Sequence, residues 1–414
     1  MKILITTQRQ SAAGGIETYL SAVAPRLVAA GHELGWLFGV PALAAEPTIV
    51  PPGDRVWHVP QSSSADKVPE EIKSWSPDVV YAHGLHQANW DRILADRYPT
   101  AYYMHGYFGA CISGRKCHAH GDTLQVCTRP LGPACLALYL PLGCGGRDPI
   151  RMISLYVAER KRQQNLRRFP AVLVASGHMS DECQRQGVAP DRTRLLPLFP
   201  PDQVADPQSP QVRSWTDRVL FVGRLTDIKG TNYLVDAVAE ASGRLGRELT
   251  LVVVGDGPGS QRIEQQARAK NMRCEWLGRL DAESRNKQMR MADMLLVPSL
   301  WPEPFGLVGI EAGCVGLPAV AFDVGGISDW LTTGVSGELA SAAQANLQSL
   351  GVALTRSLSS PEHWQKLRGG AWETARTFDP VVHVSQLIQI LNECRANVAS
   401  LPRPSLNISA ALGL

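Results

Sequence analysis

The chain is 414 residues long, 44% apolar and 19% charged, with 41 Lys and Arg against 38 Asp and Glu. That length exceeds one ordinary core and argues for two or three domains. A formal net charge of +3 gives no case for nucleic-acid binding, and no run of about 20 apolar residues is free of charge or proline, so nothing reads as a transmembrane span.

Residues 3–7 (ILITT) read as a buried first strand. They do not read as the core of a signal peptide, because MKILITTQRQ turns polar at once and offers no cleavage site. A cytoplasmic protein is the expectation. Gly14-Gly15 reads as a loop entering a helix from Ile16 to Ala30, where Leu20, Val23, Leu27 and Val28 recur with a helical period. His32 to Phe38 continues as a second strand. Residues 78–83 (DVVYAH) and 101–105 (AYYMH) follow as short strands, and 171–175 (AVLVA) closes the first unit. Strands alternating with helices, each strand an apolar run, predict a parallel sheet covered on both faces.

Pro200, Pro201, Pro207 and Pro210 mark a linker. A second series follows: a strand at Val219–Val222, a helix from Lys229 to Ala241, a strand at Leu249–Val254, a helix from Gln261 to Lys270, and strands at Cys274–Leu277, Met294–Val297 and Ala319–Phe322. The last periodic stretch is Val382 to Leu391, and residues 396–414 read as a loose tail. The predicted division is 1–200 with a cysteine-rich insertion at 106–147, then 201–375, then a terminal helix and tail at 376–414.

The chemistry gathers in the second series. FVGRLTDIKG (221–230) puts Arg224 and Lys229 just past a strand, where two cations can clamp a diphosphate. PSLWPEPFGLVGIEAG (298–313) places Glu303 and Glu311 around a Phe305-Gly306 turn that opens an apolar helix. The first N–H groups of a helix lack intrahelical partners and face the positive end of its dipole, which suits an anion. In such sheets ligands bind beyond the carboxyl ends of the strands, where these segments fall.

GRLTDIKG (223–230), VVGDGP (253–258) and EPFGLVGIE (303–311), in that order, resemble the family 4 retaining glycosyltransferases of the GT-B fold. The likeness is close over most of 219–330, and extends to the first half through Gly14-Gly15-Ile16-Glu17 and His105. It implies an α/β chain of two doubly wound Rossmann-like domains facing a central cleft, with the terminal helix crossing back onto the first domain. It implies that Arg224 and Lys229 neutralise charge on a departing diphosphate, and that Gly306 and Leu307, beside Phe305, hold phosphate through their N–H groups. Glu311 would bind ribose hydroxyls, Glu303 would face the donor sugar and orient it, and His105 would lie near that sugar. Gly15 would let backbone approach the donor phosphates; Gly223 and Gly255 would shape the nucleotide loops, with Arg279 near the base.

The expected activity is transfer of a sugar, with retention, from a UDP- or GDP-sugar to a hydroxyl acceptor in polysaccharide or glycolipid synthesis. A nucleotide-sugar epimerase and a non-catalytic sugar-nucleotide binder are the alternatives. No Asp-x-Asp motif stands at the end of a strand, so metal-independent chemistry without a cofactor is expected. Cys111, Cys117, Cys127, Cys135 and Cys144 crowd one segment without a C-x2-C knuckle. Reduced thiols, disulfides, or zinc with His105, His118 and His120 remain open for them. The basic run Arg160 to Arg168 reads as a solvated helix face, or as a peripheral contact with anionic lipid on the inner face of the membrane, close to a lipid-linked acceptor.

Overall fold

The computed structural model describes residues 1–12, 14–42, 47–59, 68–120, 123–201, 209–341 and 347–398. Pro207 and residues 399–414 of the expected tail lie outside them. The expected tail starts too early, because the last helix, Pro380–Val398, runs two residues past position 396.

In chain order the strands are β1 (Lys2–Arg9), β2 (Glu33–Val40), β3 (Arg55–His58), β4 (Val79–Ala82), β5 (Thr100–Tyr103), β6 (Cys117–His120), β7 (Thr123–Val126), β8 (Ala171–Val174) and β9 (Thr193–Leu195), then β10 (Arg218–Val222), β11 (Thr250–Val254), β12 (Cys274–Gly278), β13 (Met294–Val297), β14 (Ala319–Phe322) and β15 (Gly337–Ala340). Seven form one sheet in the order β3-β2-β1-β4-β5-β8-β9, six form another in the order β12-β11-β10-β13-β14-β15, and β6 pairs with β7 alone. All pairings in the two large sheets are parallel, whereas β6 and β7 are antiparallel. Continuous burial of β4, β5, β8, β13 and β14 explains their unbroken apolar sequences, since helices cover both faces of a parallel sheet. The chain is α/β with two Rossmann-like domains. In each sheet the strand order reverses beside the first strand, between β1 and β4 and between β10 and β13. Such a switch point opens a crevice at the carboxyl ends.

One apolar cluster joins Ile3, Tyr81 and Leu173 of the first sheet to Val219, Leu295 and Val320 of the second, and takes in Val384, Leu387 and Leu391. The terminal helix therefore packs across the first domain, against the helix Gly15–Ala29 and strands β4 and β5.

Five strands have no signal of their own, β6 and β7 of the cysteine segment and three in the large sheets. β3 and β9 are short, half-exposed edges, and β15 (GELA) carries a glutamate that pairs with Arg356. The helix expected from Lys229 begins instead at Leu234 and runs to Leu245, after single 3-10 turns at Asp227–Lys229 and Thr231–Tyr233. Gly230 causes the delay: its φ of +66° is left-handed, which a continuing helix forbids.

The helix Pro149–Leu166 carries the basic run, but its arginines are not a free solvated face. Arg160 Nη1 donates to Leu131 O at 3.2 Å, Arg162 Nη2 to His86 O at 2.6 Å, and Arg168 Nη2 lies 2.8 Å from Asp96 Oδ1. Arg162 also pairs with the buried Glu159. Among the described residues no helix is long and apolar enough to cross a membrane.

Candidate active site

The loops after β10 and β11 lock together through backbone. Gly223 N donates to Val254 O at 3.0 Å, and Leu225 N to Asp256 O at 2.9 Å. A Cβ on Gly255, whose φ is +138°, would sit 1.9 Å from Gly223 O, so glycine is required for this approach. Arg224 emerges from the lock exposed, and none of the described carboxylates pairs with it. Lys229 follows on its 3-10 turn, fixed because a Cβ on Gly230 would fall 1.6 Å from Pro298 O.

Glu303 stands opposite, between Pro302 and Pro304, and is only 5% exposed. Gly326 N donates to Glu303 O at 2.7 Å, while Gly325, at φ +63°, lets that turn lie against the Glu303 backbone. Its carboxylate accepts from Lys229 Nζ at 2.6 Å and from Ser299 Oγ at 2.6 Å. Lys229 Nζ also lies 5.3 Å from the centre of the Trp301 ring. A buried carboxylate requires such partners, since an unpaired one is costly. The family resemblance implies a diphosphate for Lys229 and a sugar for Glu303; the structure pairs the two side chains, and Ser299 is a partner that no motif announced.

Phe305 is buried, with its carbonyl accepting from Trp330 Nε1 at 2.7 Å. Gly306, at φ +87°, turns the chain into the short helix Leu307–Gly313, in which Gly309 N donates to Gly306 O at 3.0 Å and the N–H groups of Leu307 and Val308 precede the first intrahelical bond. Glu311 on that helix is 8% exposed, with Arg285 Nη1 at 3.4 Å from its Oε1. Arg285 comes from the helix Ala282–Met291 and stands in no motif, so sequence reasoning missed it. Arg279 is exposed past β12, and no contact ties it to the other site residues. Its loop does touch the lock, through Gly255 N donating to Gly278 O at 2.7 Å.

In the first domain His105 and His83 are partners rather than rivals, with His105 Nε2 2.7 Å from His83 Nδ1. The His105 ring also stacks on Tyr103 at 4.3 Å. Burial pushes His105 down to about 3 and holds His83 well below the ordinary histidine range, so both rings are neutral at pH 7. His83 Nε2 is buried without a hydrogen-bond partner among the described residues, and His83 lines an open cleft. Arg9, Glu17, His86 and Arg162 line the same cleft. Burial raises the Glu17 carboxyl above its ordinary range. A Cβ on Gly15 would meet nothing within 4 Å, which leaves this helix start open to an approaching group. Behind the histidines, Tyr19 Oη contacts Tyr81 Oη at 2.8 Å and His383 Nε2 at 2.7 Å, tying the terminal helix to the site.

The domains meet over the Glu303 loop. Tyr107 Oη donates to Pro302 O at 2.5 Å, Ser176 Oγ to Pro304 O at 2.5 Å, and Gly177 N to Asp329 Oδ2 at 2.7 Å. The five clustered cysteines are free thiols lining one small pocket, whose lining does not include His105. Among the described residues no three His, Cys, Asp or Glu side chains are grouped to hold a metal ion.

Two family models match the chain: Glycosyltransferase Family 4 over residues 13–199 and Glycosyl transferases group 1 over residues 204–371. The alpha-D-kanosaminyltransferase of Streptomyces kanamyceticus is 28% identical over 193 residues, covering 44% of this chain and 50% of that protein. The chain thus spans about half the length of that relative. The glycogen synthase of Mycobacterium tuberculosis is 24% identical over 432 residues, covering 90% of this chain and 91% of that protein. The crystal structure of Anabaena HepE in complex with UDP and glucose superposes with a TM-score of 0.64 at 19% identity, over 95% of this chain and 100% of that one. That likeness is one of fold.

Proposed function

The chain belongs to the family 4 glycosyltransferases of the GT-B fold, and from that premise we propose that it moves a sugar from a nucleotide-diphosphate sugar to a hydroxyl acceptor with retention. The observation that carries the reading is the ion pair between Lys229 and the buried Glu303 at the switch point of the second sheet, with the exposed Arg224 five residues before Lys229 in the same loop. Arg224 and Lys229 neutralise charge as the diphosphate departs, the point at which electrostatic stabilisation contributes most. Glu303, held by Ser299 and the Gly325-Gly326 turn, orients the donor sugar. Glu311 accepts from the ribose hydroxyls, with Arg285 fixing its carboxylate.

His105 is neutral and hydrogen-bonded to His83, so it meets the sugar as a dipole and not as a cation. The attacking hydroxyl enters from the first-domain cleft on the same face that the diphosphate leaves, and the phosphate oxygen takes its proton. Two cations at the phosphates make a divalent metal unnecessary for this chemistry. The setting we propose is the cytoplasm, in polysaccharide or glycolipid synthesis, with UDP- or GDP-sugars as donors.

UDP-, GDP- and ADP-sugars incubated with the protein, with and without chelator, test the reading. One donor should release its nucleotide equally well in both conditions, and the anomeric configuration of the product, read by NMR, should be that of the donor. An inverted product would end the retaining mechanism. No turnover or binding of any nucleotide sugar would end the whole reading.

A further inference from the structure

The helix Pro149–Leu166 buries one side and leaves the other bare. Met152, Leu155 and Tyr156 pack on the small core of the cysteine segment, and Glu159, Gln163 and Leu166 are buried further along. On the opposite side Ile150 is 80% exposed, Ile153 53% and Val157 47%. Positions 150, 153 and 157 share one helical face. Leu140, at the end of the helix Ala134–Tyr139, is also exposed at 49%. Aliphatic side chains left in water in helical register mark a contact surface.

The charge around this face gives its partner. Residues 106–168 hold ten Lys and Arg and three Asp and Glu, a net +7 in a chain of net +3, so the rest of the chain is net −4. Arg147, Arg151 and Lys161 are exposed next to the aliphatic stripe. The exposed acid at this end, Asp148, is occupied in capping the helix, accepting from Ile150 N at 2.9 Å and Arg151 N at 3.2 Å. An apolar stripe flanked by exposed cations suits an anionic bilayer surface, where the aliphatic groups enter the headgroup boundary and the cations meet the lipid phosphates.

We infer that the exposed face of Pro149–Leu166, led by Ile150, Ile153 and Val157, docks the protein on anionic membrane. This moves the contact from Arg160 and Arg162 of the basic run, which donate to Leu131 O and His86 O, toward the start of the helix. Five residues past Val157, Arg162 lines the first-domain cleft. At 1.5 Å per residue the helix is about 27 Å long, so it sets that cleft within reach of the bilayer surface. On the glycosyltransferase reading, the acceptor is then a lipid-linked hydroxyl compound whose headgroup enters from the membrane side.

The test is co-sedimentation of the full chain with phosphatidylcholine vesicles, with and without phosphatidylglycerol. The wild type should pellet with the anionic vesicles, and binding should weaken as salt is raised. The I150S/I153S/V157S variant should bind on the order of tenfold more weakly or not at all. Those positions are exposed, so the variant should keep the thermal midpoint and the nucleotide binding of the wild type. Failure of the wild type to pellet, or equal pelleting of the variant, would overturn the inference. So would concentration-dependent self-association, abolished in the variant, without vesicle binding, because it would assign the face to a second copy of the chain. Nucleotide binding is measured separately, so loss of the glycosyltransferase reading would leave this result standing.

Discussion

Lys229 Nζ lies 2.6 Å from Glu303 Oε1, across a sequence separation of 74 residues. The pair joins the loop after β10 to the loop after β13 at the point where the strand order reverses. It also means that the lysine is already engaged before any phosphate arrives, while no described carboxylate pairs with Arg224. On the proposed function an incoming diphosphate shares Lys229 with a buried carboxylate, and the departing phosphate then lies beside the group proposed to face the sugar.

Glu303→Gln separates the two roles. The amide keeps the shape and the contact with Ser299, and it releases Lys229 to the phosphates. Nucleotide affinity should be unchanged or tighter, while turnover of the donor falls by on the order of 10²-fold. Calorimetry and initial rates measured together check this; an unchanged kcat would remove Glu303 from the chemistry.

The glycine that carries Lys229 offers a matched pair of substitutions. Gly230 and Gly246 have nearly the same φ, +66° and +65°, yet a Cβ on Gly246 meets open space while one on Gly230 strikes Pro298 O at 1.6 Å. Gly246→Ala should cost about 1 kcal/mol from its left-handed backbone alone. Gly230→Ala should cost more, about 3 kcal/mol, and should also weaken nucleotide binding, because Lys229 must move. Denaturant unfolding and calorimetry on both variants decide it. Equal losses would mean that the close approach to Pro298 is not a constraint.

His383 gives a pH dependence. Burial pushes it down to about 4, while its ring holds Tyr19 Oη and Pro197 O. The unfolded chain takes up a proton near pH 6.5, whereas the folded ring does so only near pH 4. Its contribution to stability is therefore fully present above about pH 6.5 and is lost as pH falls toward 4. From pH 7 to 5 this amounts to about 2 kcal/mol. His383→Gln should start less stable and show a shallower decline of thermal midpoint over that interval. An identical slope would mean that His383 titrates normally in the fold.

Lys116 is 2% exposed, with its Nζ 2.7 Å from Oε1 of the fully buried Glu182 and 2.6 Å from Arg129 O. It thereby pins the cysteine segment to the helix Gly177–Arg185. Removing one partner of a buried pair leaves the other charge uncompensated, so Lys116→Met should cost about 3 kcal/mol in denaturant unfolding. A loss below about 1 kcal/mol would show that Arg185 alone satisfies Glu182.

Much of this was legible in the sequence because it is local. Apolar runs such as ILITT and AVLVA specify buried parallel strands directly. GRLTDIKG and WPEPFG carry their glycines and prolines where the turns need them. Missed features depend on partners distant in the chain. Ser299 and Arg285 look like any other serine and helix arginine until Glu303 and Glu311 are placed beside them. His83 could only compete with His105 on paper, because their pairing comes from the register that sets β4 next to β5. The basic run misled for the same reason: Arg160 and Arg162 have acceptors in Leu131 and His86, which only the fold brings near. Lys229 to Ala241 looked like one helix because nothing local reveals that Gly230 lies against Pro298.

On the proposed function, Arg224 and Lys229 hold a nucleoside diphosphate at the end of the second sheet. The most direct measurement is calorimetric titration of UDP, GDP and ADP into the wild type and into Lys229→Ala. We predict that one nucleotide binds the wild type and binds the variant at least about tenfold more weakly, without a change in the wild-type fold. Binding of none of the three, or equal binding to both proteins, would contradict the account.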